Sequence, residues 1–552
     1  MSDLHGRNLI AGTRCDSDSV LKVTSPIDGS QLPGQFCLAS LEDVEAAMRA
    51  AAAAAEPLAG TTGELRATFL ERIASEIMDL GDALIERACL ETALPAARLT
   101  GERGRTVNQL KMFAAAAREG AWVDARIERA LPDRQPLPRP DLRRLKRPIG
   151  PVVVFGSSNF PLAFSVAGGD TASALCTGNP VVVKAHRAHP GTSELVAEAI
   201  QRAVAACGLP AGTFSMLHGA GSEIGIALVK HPATRAVGFT GSQAAGRALC
   251  DAAAARPDPI PVFAEMSSLN PVFLLPNALA DRAAAIAQGF VGSMTLGVGQ
   301  FCTKPGLVFA VAGPELDRFK VAVHEALATV APASMLTGEI RDAFEQGRDG
   351  VTSQPGTQVL AHASTAADST RTEAAGLVVE TDADTFLTSE RLADEVFGPF
   401  AVMVVATSAE QLLQIARRLE GQLTATLHGS PDDLAEAGPL LEVLATRAGR
   451  IILNGWPTGV EVCTAMQHGG PWPATSDARF TSVGTAALER FIRPVCYQDV
   501  PQSLLPCATT ERNHHEAKSE TLHHAALCRG GVWRAGGGCR PGTNCRHRQP
   551  GG

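Results

Sequence analysis

The sequence predicts an α/β protein in which a parallel, doubly wound sheet is followed by a second α/β unit. Two observations carry this expectation. Short β-branched runs alternate with helix-compatible stretches from residue 150 onward, and those runs are apolar throughout. A strand that is apolar on both faces must be covered on both, as in a parallel sheet packed between helix layers. The length, 552 residues, adds a third, because roughly 150 residues per domain predicts several domains.

Ahead of the alternation, residues 41–119 read as mostly helical, through LEDVEAAMRAAAAAAEP and GELRATFLERIASEIMDLGDALIERACLETAL. RPDLRRLKRPIG (139–150) is basic, alternating and Pro-bounded. It predicts an exposed strand able to pair with another subunit. GPVVVFG (150–156) is a glycine-bounded strand, followed by the helix-compatible PLAFSVAGGDTASALCTG. NPVVVKAH (179–186) gives the next buried strand, and ELVAEAIQRAVAACG (194–208) an amphipathic helix ending at a glycine. GTFSMLHG, SEIGIALVKH and TRAVGFTGS continue as strand, helix and strand. The second series starts near Asn270 with NPVFLLPNAL and the helix DRAAAIAQGFVGSMTL, so the two units join near residue 265.

Composition excludes several classes. With 45 % hydrophobic and 19 % charged residues, the chain is not disordered overall. It has no apolar run of about 18 residues, so no membrane span is expected. The start, MSDLHGRNLIAGTRCDSD, shows no secretory signal. A net charge of −8 and a pI near 6.0 argue against a nucleic-acid partner. Thirteen cysteines are too dilute for a disulfide scaffold and predict reduced thiols in a cytoplasmic protein. Residues 507–552 differ, with a net charge of +4, four Cys and five His. Without apolar periodicity this tail reads as disordered. Its spacings match no standard zinc pattern, so no metal is expected.

Four local features carry chemistry. GVGQFCTKPGLVF sets Cys302 between a glycine-rich turn and a strand. A loop gives a nucleophilic thiolate the access it needs, and a buried structural thiol is the competing reading. PVFAEMSSLNPVF carries Glu265 inside an apolar run. An acid there is costly unless it is paired or tuned as a base, so a core acid and a functional base both stand. In GFTGSQAAGR, Gly241, Ser242 and Gly246 mark a strand-to-helix turn. Free amides at such a helix start can face a pyrophosphate, although this is not the usual GxGxxG pattern. FGSSNFPLAF places Asn159 near Pro161. That side chain either caps the following helix or donates to an oxyanion.

VVVFGSSNFPL, LCTGNPVVVKAH, VGFTGSQAAGR, FAEMSSLNP, GQFCTKPG and DEVFGPF occur in one order, with Glu265 and Cys302 separated by 37 residues. In this conjunction residues 20–506 resemble the aldehyde dehydrogenase superfamily. EMSSLNP, FCTKPGLVF and NGWPTGVEVCTAMQHGGPWPATSDARFTSVG (454–484) resemble its α-ketoglutarate semialdehyde (2,5-dioxopentanoate) dehydrogenase branch. The resemblance implies NAD(P)-dependent oxidation of an aldehyde, 2,5-dioxopentanoate, to 2-oxoglutarate. Cys302 would be the nucleophile, forming a thiohemiacetal and then a thioester. Asn159 and the Cys302 backbone N–H would hold the oxyanion, and Glu265 would be the base for hydrolysis. Glu395 and Phe397 would contact the nicotinamide ribose and ring, and Lys184 the adenosine ribose. The implied domains are a coenzyme-binding domain (1–122 and 143–264) and a catalytic domain (265–478). A small β bridging element (123–142 and 479–506) would join subunits into a homodimer or homotetramer.

The departures from the family carry expectations of their own. Where the family commonly reads ELGGK, Met266, Ser267, Ser268 and Leu269 follow Glu265, and a serine restricts nicotinamide positions that a glycine would permit. Where the family often has Lys-x-x-Glu, Arg187 stands in place of the acid. A carboxylate there repels a 2′-phosphate and a guanidinium pairs with one, so NADP is expected to be preferred, with NAD as the alternative. A competing function within the fold is a broad-range or fatty aldehyde dehydrogenase. One from another class is a catalytically silent binding or structural protein, which the presence of Asn159, Glu265 and Cys302 disfavours.

Overall fold

The computed structural model describes residues 4–219 and 221–509. Two seven-stranded sheets and three smaller ones organise the described chain. The first large sheet runs Val262–Glu265, Ala236–Thr240, Val152–Phe155, Val181–Ala185, Phe214–His218, Asn8–Ile10, Thr13–Cys15 in spatial order. Its first five strands are parallel, with Val153 opposite Val237 and Val182, and the two N-terminal strands close the far edge antiparallel.

The apolar strands serve two separate cores. Val152, Val154, Val181 and Val183 point into one, packed with Phe69, Phe113 and Ile200 from the helices Gly63–Asp79, Ala96–Glu119 and Pro190–Ala206. Val153, Phe155 and Val182 point into the other, under Met48, Leu228 and Leu249 from Leu41–Ala59, Glu223–Lys230 and Gln243–Ala254. Alternating residues of one strand thus enter opposite helix layers, the doubly wound arrangement expected from the unbroken apolar runs. The helical stretch 41–119 divides into four. Gly81 (φ +57°) and Ala93 (φ +56°) interrupt it in the left-handed region, and a Ser40–Asp43 capping box starts it.

The second large sheet runs Gln358–His362, Leu377–Asp382, Phe400–Ala406, Leu307–Val311, Val272–Leu274, Gln422–His428, Ala448–Leu453. It is parallel except at the edge strand Gln358–His362. It too is covered on both faces: Phe273 and Phe309 enter one core, and Val272, Val308 and Met403 the other beneath the helix Pro276–Thr295. Glu265 ends the last strand of the first sheet, and Cys302 precedes a central strand of the second.

A separate compact unit comprises Val123–Lys146 and, among the described residues, 494–509. It is built around a three-stranded sheet ordered Ile492–Gln498, Leu142–Pro148, Arg126–Glu128. The segment 139–150 does form a strand, but the expectation that it offers an exposed edge is corrected. Leu142–Pro148 is the middle strand, and its ladder groups pair with neighbours of the same chain. The expected tail needs one correction as well, since Cys507–Thr509 forms a short 3₁₀ turn with Thr509 buried. The remainder, from 510 on, lies outside the described residues. Among the described residues no helix is long and apolar enough to cross a membrane.

Candidate active site

The helix Pro276–Thr295 must reverse into the strand Leu307–Val311, and the reversal is made at Gly297, Val298 and Gly299, with φ of +57°, +58° and +67°. A valine in that region is strained, at a typical cost of about 1–3 kcal/mol, so surrounding contacts must hold the loop. They do: Asn270 Nδ2 donates to the carbonyls of Cys302 (2.9 Å) and Lys304 (3.0 Å). The fully buried Lys304 donates from Nζ to the carbonyls of Val396 (3.1 Å) and Phe400 (2.8 Å). A Cβ at Gly299 would sit 2.2 Å from the Gly398 backbone, so no other residue fits there. The loop is therefore locked on both sides and presents a half-buried Cys302.

Glu265 is fixed just as firmly. Its carbonyl accepts from Gly241 N–H (3.0 Å), and Met266 N–H donates to Ala474 (2.8 Å). Its carboxylate is 4 % exposed, and Oε2 accepts from Ser482 Oγ at 2.8 Å. Oε1 lies 3.0 Å from Nε2 of His468, which in turn is 3.5 Å from Cys302 Sγ. One ligand atom from each of these three side chains falls within 4.8 Å of the others. Burial alone would raise the Glu265 carboxyl, but His468, Ser482 and Cys302 together bring it below the ordinary value. It is ionised near neutrality. Burial pushes the Cys302 thiol well up, Glu265 adds to the rise, and Arg105 opposes it. Cys302 thus rests as a protonated thiol facing a charged carboxylate and an imidazole, an arrangement in which a thiol can act as nucleophile beside a base.

His468 was not among the expected residues. A single His before the glycine pair of MQHGG reads as loop, and only the fold shows it 2 % exposed between acid and thiol. Asn159 is buried beside the same loop, its Nδ2 donating to the Gln300 carbonyl at 3.0 Å. A primary amide has two N–H donors, so one remains for an oxygen near Cys302. It does not cap a helix.

Of the remaining expected residues, Glu395 lines one cavity and Arg187 another. The first, of about 670 Å³, is lined by Gln243, Ser267, Glu395, Gln422 and Pro473 among others. Ser268 is tied to Gln422 and Asn270, whereas Ser267 is half-buried near Glu395. Burial raises the Glu395 carboxyl, and Phe397 is half-buried in the same loop. Gly241 and Ser242 are exposed at the start of the helix Gln243–Ala254, where Ser242 caps the Ala245 N–H. Gly246 has a packing reason instead, because a Cβ there would meet Met266 Sδ at 2.6 Å. Lys184, half-buried at its strand's end, is pushed down to about 8 by burial and by Arg187. Arg187 is exposed, lies 3.3 Å from Glu339, and lines a second cavity of about 310 Å³. A helix start with free amides, a lysine and a cavity of cofactor-pocket size fit a dinucleotide.

A doubly wound sheet, a second α/β sheet and a thiol–carboxylate pair beside a side-chain amide define an enzyme of covalent acyl chemistry. Residues 13–472 match the aldehyde dehydrogenase family, and the chain belongs to that family. It is an oxidoreductase that oxidises an aldehyde with NAD(P) through a cysteine. It is 54 % identical over 516 residues to alpha-ketoglutaric semialdehyde dehydrogenase 2 of Azospirillum brasilense, covering 92 % of this chain and 96 % of that protein. It is 45 % identical over 515 residues to alpha-ketoglutaric semialdehyde dehydrogenase of Acinetobacter baylyi, with coverages of 93 % and 97 %. Among solved structures, betaine aldehyde dehydrogenase of Staphylococcus aureus in complex with NAD+ shares the fold. Its TM-score is 0.78 at 20 % identity, covering 90 % of this chain and 96 % of that one.

Proposed function

We propose that this enzyme oxidises α-ketoglutaric semialdehyde (2,5-dioxopentanoate) to 2-oxoglutarate, with NADP preferred and NAD accepted. The substrate reading rests on near-full-length identity of 54 % and 45 % to two proteins named for that activity. The chemistry rests on one observation, the Cys302–His468–Glu265 cluster. Cys302 gives up its proton to His468, whose Nε2 lies 3.5 Å from Sγ, as Sγ bonds to the aldehyde carbon. The free N–H of Asn159 and the backbone N–H of Cys302 hold the resulting oxyanion. A nicotinamide cofactor, when held by Glu395, Phe397 and Lys184, would supply the acceptor for the hydride that leaves the thiohemiacetal carbon. Glu265 then takes a proton from water as the water oxygen bonds to the acyl carbon. The C–S bond breaks and the acid leaves, His468 returns its proton to the sulfur, and Glu265 releases the proton of water to solvent. Initial rates on a panel of semialdehydes and plain aldehydes should give the highest kcat/KM for 2,5-dioxopentanoate. Equal rates on long-chain aldehydes would overturn the substrate reading.

The NADP preference rests on Arg187, which occupies the place of a ribose-binding acid. Its neighbour Glu339 forms only an exposed pair with it, and such pairs are weak, so the guanidinium is free to turn to a 2′-phosphate. The substitution Arg187→Glu exchanges attraction for repulsion and restores an acceptor for ribose hydroxyls. The NADP-to-NAD ratio of kcat/KM should fall about tenfold or more, each tenfold being about 1.4 kcal/mol. An unchanged ratio would remove the basis for the preference.

A further inference from the structure

Helix Ala96–Glu119 turns one face toward the catalytic segment. Glu102 accepts from the Leu162 and Ala163 amides at 2.8 and 3.0 Å, and Arg98 Nη2 donates to the Asn159 carbonyl at 2.7 Å. Arg105, three residues after Glu102, shares that face. Its guanidinium lies 5.4 Å from the Phe164 ring centre and 5.9 Å from that of Phe160. The Phe164 ring is 6.2 Å from the ring of His468, whose Nε2 is 3.5 Å from the Cys302 sulfur. Arg105 is thus linked to Cys302 through Phe164 and His468 and feels its charge: burial lowers its basicity while Cys302, Glu102, Glu265 and Glu461 raise it.

No acid approaches Arg105 within ion-pair distance among the described residues. It has no hydrogen-bond partner there either, and its Nε is buried without an acceptor. The other cations that sense this site are engaged. Arg98 holds Asn159, and Arg450 donates to the carbonyls of Gly459 (2.7 Å) and Pro457 (2.6 Å). A half-buried guanidinium with a free fork, stacked on two aromatic rings, lacks an anion. The aldehyde proposed above carries a carboxylate at the end opposite its reacting carbon.

We infer that Arg105 is the specificity residue that receives the terminal carboxylate of the substrate, so that the enzyme selects oxo-acid semialdehydes over neutral aldehydes. The inference takes the proposed substrate class as its premise. The guanidinium fork meets a carboxylate with two parallel hydrogen bonds, and Phe160 and Phe164 keep water from competing for it. A carboxylate held there leaves the aldehyde end pointing at Cys302.

The test compares wild type, Arg105→Gln and Arg105→Lys on 2,5-dioxopentanoate, succinic semialdehyde, butanal and pentanal. Losing a hydrogen bond to a charged group typically costs about 1.5–3 kcal/mol. The ratio of kcat/KM for carboxylate-bearing over neutral aldehydes should therefore fall roughly 10- to 100-fold in Arg105→Gln, chiefly through KM. Arg105→Lys should recover part of it, and inhibition by 2-oxoglutarate should weaken in Arg105→Gln. If both aldehyde series lose the same factor, Arg105 serves the thiolate or the fold and the inference is overturned. An unchanged ratio overturns it as well. Wild type preferring succinic semialdehyde to 2,5-dioxopentanoate would discard the proposed substrate and leave Arg105 standing. Wild type indifferent to the carboxylate would discard both.

Discussion

Cys302→Ala should abolish dehydrogenase turnover and leave the fold intact. A methyl group cannot form the thiohemiacetal, and every contact that holds the loop uses backbone atoms of residue 302 or side chains of others. Asn270 bonds the Cys302 carbonyl and Lys304 bonds the facing loop, so the alanine keeps the same anchors. Binding of NADP, followed by fluorescence or calorimetry, should persist. Wild-type rates of NADPH formation by the variant would refute covalent catalysis at this position.

Glu265→Gln should separate the two half-reactions. Losing a general base typically lowers a rate 10²–10⁴-fold, and here the loss falls on thioester hydrolysis. A burst of reduced cofactor equal to the enzyme concentration should remain, with the acyl-enzyme visible by intact-mass spectrometry. The pH dependence has a definite sign. The Glu265 charge is one cause of the raised Cys302 thiol; removing it lowers that thiol, and the rise of the burst rate with pH moves to lower pH. Unchanged steady-state hydrolysis would show that another group activates water. A burst that disappears at every pH would assign Glu265 to the attack by the thiol instead.

Much of the architecture was legible because two-faced burial leaves a one-dimensional trace. VVVF and VVVKA are apolar without alternation, and the structure sends their odd and even residues into different cores. Cys302 and Glu265, which the structure brings together, stood out in the sequence because each breaks its surroundings, a cysteine in a glycine-rich loop and an acid in an apolar strand. The place of 139–150 in its sheet was not. Whether a strand is edge or centre depends on Ile492–Gln498, some 350 residues away, and alternation along one segment does not report it. His468 and Arg105 left no trace for a similar reason. Arg98, Glu102, Arg103 and Arg105 look like an ordinary solvated helix surface, and only the packing shows Arg105 half-buried against Phe160 and Phe164 with no ion-pair partner among the described residues.

Lys304 joins the loop of Cys302 to the loop of Glu395 and Phe397, and the missing side chain of Gly299 lets its backbone lie against that of Gly398. Segments 297–304 and 395–400 are consequently fitted to each other. A change of cofactor or substrate preference engineered by transplanting one of them from a distant relative would bring mismatched surfaces together, and the transplant has to carry both.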